Sequence, residues 1–130
     1  MHNITFKIEP VPASRPRVTR WGTYYQEKYT QFRKDMASLL LGTKKTLYTE
    51  PLKVNLKFFF TMPKSWSKKK RDELDGTFKC STPDMDNLEK AVYDSLNDYI
   101  WIDDSQVVSH HVEKFWVKDN GRIEIQIERL

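Results

Sequence analysis

Cysteine is all but absent from this chain. Cys80 stands alone in 130 residues, which excludes an internal disulfide and a cysteine-built structural zinc cluster. No apolar run approaches the length of a membrane span, and the opening MHNITFKIEP has none of the features of a secretory leader. Repeats, low-complexity tracts and linker-like stretches are missing too. What is present is a core: 38% of the residues are hydrophobic and 13% aromatic, too many for wholesale disorder. A chain of this length buries about two thirds of its unfolded surface without a metal or disulfide staple. The expectation is one soluble, cytoplasmic domain over residues 1–130, with no membrane partner.

The net charge of +4 hides an uneven distribution. Residues 1–82 hold 17 Lys and Arg against 7 Asp and Glu, and residues 83–130 hold 5 against 11. A basic half suits a polyanion and an acidic half suits cations, although a solvated surface with unevenly scattered charge fits the same numbers.

Ile4, Phe6 and Ile8 alternate with polar residues and predict a strand that Pro10 and Pro12 end. Residues 13–21, with Arg15, Arg17 and Arg20, read as an exposed loop. A helix is expected from about Thr23, with Tyr25, Tyr29, Phe32, Met36, Leu39 and Leu40 on one stripe and Gly42 as its stop. Leu52, Val54, Leu56, Phe58 and Phe60 alternate through a second strand. In the polar connection over 62–82, Ser67 is placed to cap a short helix that ends near Gly76. A second main helix runs from about Pro83 to Asn97. Strands over 106–118 and 122–129 flank Asn120-Gly121, which predicts a terminal hairpin of open register. The order β-α-β-α-β-β gives an α+β fold, with a small mixed sheet and two main helices.

Residues 83–106, PDMDNLEKAVYDSLNDYIWIDDSQ, carry seven carboxylates and one basic residue, Lys90. On a helical wheel Asp86, Lys90 and Asp94 fall within about 80° of one another, opposite Leu88, Ala91, Val92 and Ser95. Hard divalent cations take carboxylate oxygens together with water and phosphate oxygens. Asp84 and Asp86 supply one arm of such a site. Asp103 and Asp104 supply the other only if the chain after the helix returns beside it. Each acid also has an ordinary role: helix cap, i,i+4 partner or turn former. His110 and His111, adjacent on a strand, face opposite sides and cannot act as a pair. They and the near-terminal His2 are assigned structural roles, as is Cys80.

At these residues the chain resembles the RusA-type Holliday-junction resolvases. The resemblance lies in PDMDNLEKAVYDSL followed by WIDDSQV, in Arg15-Pro16-Arg17 after the first strand, and in the lysine-rich connection from Trp66 to Gly76. It implies an Mg²⁺-dependent endodeoxyribonuclease, with Mn²⁺ able to substitute, that acts as a homodimer and resolves four-way DNA junctions by paired symmetric cuts. Small resolvases of this kind resemble those of phages and prophages. Carried over by position, Asp84, Asp86 and Asp104 match the essential metal-binding acids and Lys90 the essential lysine. Asp103 and Asp94 match further acidic positions, and Asp103 is taken as an additional metal ligand. The residue before the Pro-Asp pair is often basic in similar sequences; here it is Thr82.

Phosphate contacts are expected from Arg15, Arg17, Arg20, Lys68, Lys69, Lys70 and Arg71. Tyr24, Tyr25 and Trp66 lie among these charges and suit stacking on unpaired bases, but Tyr25 and Tyr29 sit on the helix's apolar stripe, where a core or dimer contact is the stronger reading. Two other functions remain open at this level: a non-catalytic DNA-binding accessory protein, and a nuclease for other branched DNA.

Overall fold

A computed structural model describes residues 1–15, 17–24 and 26–130, with the side chains of Arg17, Thr23 and Tyr24 outside that description. Four strands and a helix open the order: β1 (His2–Phe6), β2 (Arg17–Thr19), β3 (Gly22–Tyr24), α1 (Glu27–Leu40) and β4 (Leu52–Thr61). They are followed by α2 (Lys68–Leu74), α3 (Met85–Leu96), a single 3-10 turn at Asp104–Gln106, β5 (Val107–Val117) and β6 (Arg122–Arg129). The main sheet has the order β1-β6-β4-β5. β4 pairs antiparallel with β6 and parallel with β5. Parallel neighbours need a long crossover, and the connection that carries α2 and α3 supplies it.

Alternation along the strands decides the buried face. Register sets Leu56 opposite Ile125, and Ile125 opposite Ile4. Val54, Phe58, Ile123 and Ile127 extend the same layer. Onto it α1 brings Tyr29, Phe32, Met36 and Leu40, and α3 brings Leu88, Ala91, Val92 and Leu96. Each aliphatic side chain so buried contributes about 1.5–3 kcal/mol relative to exposure. The opposite side of the strands is polar, with the Asn55 amide donating to Gln126 Oε1 at 3.0 Å. None of the described helices is long and apolar enough to cross a membrane.

The α+β class, the order of the main elements and the short helix capped by Ser67 all stand, the cap accepting from Lys70 N at 3.2 Å. The hairpin does not. β5 and β6 flank β4 and never pair with each other. Asn120, with φ +60°, makes a turn as its sequence suggests, but the turn steps across the end of β4, where Gly121 N donates to Thr61 Oγ1 at 2.9 Å. A local turn signal reports a reversal, not which strands it joins. The first strand also stops early, at Phe6, where Ile8 N donates to Phe6 O.

The other differences lie before α1. That helix starts at Glu27, because the preceding segment forms the ribbon β2-β3 around Gly22, whose φ of +129° suits glycine alone. Tyr25, expected on the helix stripe, lies outside the described residues, as does Pro16. Leu39, also placed on the stripe, is at the surface, while Leu40 is buried.

Candidate active site

A 12-residue α3 spans roughly 18 Å, so acids beyond its end meet it only if the chain doubles back. The reversal is built at 97–101. Asp98 takes φ +65° and donates its N–H to Trp101 O at 2.7 Å. Trp101 is fully buried, with its indole N–H on Asn97 Oδ1 at 2.7 Å. Gln106 then fixes the returning strand. Its Oε1 accepts from Ile102 N and Asp103 N, and its Nε2 donates to Tyr48 O and Glu50 O.

The outcome is a cleft of about 380 Å³ between α3 and the start of β5. Asp86, Lys90, Asp94 and Asp104 line it, together with Glu89, Tyr93 and His110. Asp84 opens onto a neighbouring cleft beside Arg15 and Asn87. It holds the cap position of α3, yet its side chain makes no capping hydrogen bond. Asp103 is the reverse case. Its carboxylate accepts from Ser105 N at 3.0 Å in a capping box with Gln106. That bond holds its carboxyl below the usual range, and Asp103 is not part of the cleft lining.

Lys90 lies against Asp94, Nζ to Oδ2 3.1 Å. Its pKa is raised, first by that hydrogen bond and charge, with Asp104 adding to them. Tyr29 OH reaches Asp94 Oδ2 at 3.5 Å, and Arg33 donates to Tyr29 OH and to Asp94 O. Glu89 pairs with His110 at 2.9 Å. Burial pushes the Glu89 carboxyl up, His110 draws it back, and Asp86 adds to the rise. Burial also drives the Tyr93 phenol far up, helped by Glu89 and Asp104. Its hydroxyl has no hydrogen-bond partner among the described residues.

No three Asp, Glu, His or Cys side chains among the described residues come together as a preformed cluster around one point. The donor chemistry nevertheless fits a hard dication. The ligands on offer are carboxylate oxygens, and Asp84, Asp86 and Asp104 form no ion pair with any described residue.

A clamp behind the site was not foreseen. Lys79 is 8% exposed, lies over the Trp116 ring, and donates to Ser81 Oγ and Thr82 O, each at 2.6 Å. Lys114 donates to Ser81 O and Pro83 O at 2.6 and 2.9 Å. Two ammonium groups thus hold the segment that delivers Asp84, including the cis Thr82-Pro83 bond. Burial, then Lys114, lowers the Lys79 pKa. In the sequence these residues look like any other lysines. Glu89 and His110 were missed because their pairing needs α3 and β5 to lie side by side, whereas His111, on the opposite face of β5, meets Glu113 two residues along its own strand.

The basic residues are used unequally. Arg15 is exposed at the rim, Arg20 lies over Trp21, and the Arg17 side chain is outside the described residues. Lys68 and Lys69 are exposed, and Lys70 sits 3.9 Å from the Trp66 ring centroid. Arg71 is largely committed to the fold, donating to Lys118 O at 2.9 Å and pairing with Asp119. Trp66 packs edge-on against Trp116 and Tyr29 is buried in the core.

The family model described as Endodeoxyribonuclease RusA matches residues 7–128. The uncharacterized protein YqaN of Bacillus subtilis is 35% identical over 94% of this chain and 92% of its own length. The crossover junction endodeoxyribonucleases RusA of Escherichia coli K12 and of Enterobacteria phage 82 are each 44% identical over 48 residues, 36% of this chain and 40% of theirs.

Proposed function

Because this chain belongs to the RusA endodeoxyribonuclease family, we propose that it resolves four-way DNA junctions by hydrolysing one phosphodiester in each of two symmetric strands. The observation that supports this most is the convergence of Asp86, Lys90 and Asp104 on one cleft, with the uncapped carboxylate of Asp84 beside it. Asp84, Asp86 and Asp104 are the residues to hold Mg²⁺, or Mn²⁺ in its place. When bound, such an ion supplies water activation and charge neutralisation at the phosphate. Lys90, oriented by Asp94, donates to a phosphate oxygen where negative charge grows in the transition state. Asp94, which also accepts from Tyr29 OH, holds the Lys90 ammonium beside the cleft. Asp103 holds the turn that presents Asp104. A junction is pseudo-twofold, so a homodimer that brings one such site per subunit makes paired cuts.

Acids without a cation repel DNA. Asp86→Asn is therefore expected to lower cleavage by at least ~10³-fold, about 4 kcal/mol, while junction binding is kept or tightened. Labelled four-way junction, fork and linear duplex, each with Mg²⁺ or with chelator, provide the assay. Symmetric metal-dependent nicks in the junction alone support the proposal. Equal cutting of forks favours a broader branch nuclease, and binding without cuts favours an accessory protein.

A further inference from the structure

A third cleft, of about 430 Å³, is lined by Ser14, Arg15, Tyr29, Thr30, Arg33, Lys90 and Asp94. It shares Lys90 and Asp94 with the acidic cleft, and Ser14 and Arg15 with the one that holds Asp84. The segment that supplies Ser14 and Arg15 is tied to α3 through Ala13 N, which donates to Asn87 O at 2.9 Å. Two features set it apart. The Ser14 hydroxyl is buried with no hydrogen-bond partner among the described residues. Arg33 is exposed yet oriented by neutral acceptors only, the Tyr29 phenol at 3.2 Å and Asp94 O at 3.3 Å. Neither Arg33 nor Arg15 has an ion-pair partner among the described residues. A planar guanidinium held in place without a counter-ion, next to an unsatisfied hydroxyl, has the donors that a phosphodiester accepts from.

We propose that this cleft is a phosphate subsite, in which Arg33, Arg15 and Ser14 bind a non-scissile phosphodiester of the strand being cut, adjacent to the scissile one. It rests on the nuclease reading above and adds to it Arg33 and Ser14, neither of which stands out in the sequence. Contacts of this kind fix the register of a strand without reading its bases.

The test needs no cleavage. Once the cut has been mapped, junctions that carry one uncharged methylphosphonate at successive positions around it are titrated in chelator by fluorescence anisotropy. For the unaltered protein, one position within two nucleotides of the cut should weaken binding roughly tenfold, the scale of a charge-assisted contact. That position should cost Arg33→Gln less than about twofold, because the contact is already gone, and Ser14→Ala should lose part of the same sensitivity. Arg33→Gln should also weaken binding to the unmodified junction, with its melting temperature used to confirm folding. If every position that weakens the unaltered protein weakens Arg33→Gln by the same factor, the subsite is overturned and Arg33 merely supports Tyr29 and Asp94. If the unaltered protein neither prefers nor cuts junctions, the nuclease reading fails before the subsite is reached.

Discussion

α2 and α3 lie in the same crossover, and both are rich in charge, yet only one organises it. α3 buries Leu88, Ala91, Val92 and Leu96, so its exposed acids stand on a face fixed by the core. α2 buries no residue. Its lysines project into solvent, Lys70 lies on an aromatic ring, and Arg71 is spent on tying the helix to the β5-β6 turn. A cluster of charge acquires a geometry suited to chemistry when a packed face holds it in register; otherwise it remains a diffuse field.

The most severe way to break this contrast is to hollow out the two supports. Leu88→Ala should cost about 2–5 kcal/mol of unfolding free energy, as for other fully buried leucines, and should loosen the cleft as well. Leu74→Ala in α2, which is only half-buried, should cost less than about 1 kcal/mol. Urea unfolding of both variants checks the difference, and similar losses would mean that α2 is anchored as firmly as α3.

A smaller effect separates positioning from folding. Lys114→Met removes the donors to Ser81 O and Pro83 O, so the segment before Asp84 loses half of its clamp. Junction cleavage should fall about tenfold, close to 1.4 kcal/mol in the barrier, with junction affinity nearly unchanged. Single-turnover rates and anisotropy on the same junction separate the two quantities. A loss confined to affinity would assign Lys114 to DNA contact instead.

The polar helix gives a milder result still. Replacing Lys68, Lys69 and Lys70 together by Gln should weaken junction binding about threefold near physiological salt and flatten its salt dependence. The log-log slope should decrease by about 0.9 for each lysine that meets a phosphate. An unchanged slope would place the DNA path elsewhere, along Arg15 and Arg33.

These contrasts also mark what the sequence made legible. Helical and two-residue periods identified α3, β4 and β6 because packing there follows the local pattern. The capping signal at Ser67 was local in the same sense. Two things were not local: the strand inserted between β5 and β6, and the lysine clamp. Each depends on which distant segment comes to lie alongside, and a lysine that meets backbone carbonyls carries no mark in its neighbours. The site divides along the same line. Spacing marked Asp84, Asp86 and the Asp103-Asp104 pair, and the family resemblance chose Asp104 from that pair, whereas the different fates of Asp103 and Asp104 arise from a 3-10 turn that uses one as a cap and leaves the other in the cleft.

The smallest predicted effect concerns Glu89, and it sharpens the comparison most directly. Burial raises the Glu89 carboxyl more than His110 lowers it, so ionising this carboxyl is harder in the folded protein than in the unfolded chain. A folded-state pKa above the unfolded value contributes stability that is complete below the ordinary glutamate range, near pH 4, and is lost as pH rises through the folded pKa. At neutral pH, Glu89 is therefore a net cost to the fold. Glu89→Gln, which keeps an acceptor for His110 without the charge, should melt roughly one to three degrees higher at pH 7. The advantage should fade towards pH 4. Charge removal from the solvated face of α2 should leave the melting temperature almost flat with pH. Melting curves from pH 4 to pH 8 decide the matter. A lower melting temperature for Glu89→Gln at pH 7 would mean that the His110 ion pair outweighs burial, and that the acids of α3 stabilise the fold instead of being held there against its stability.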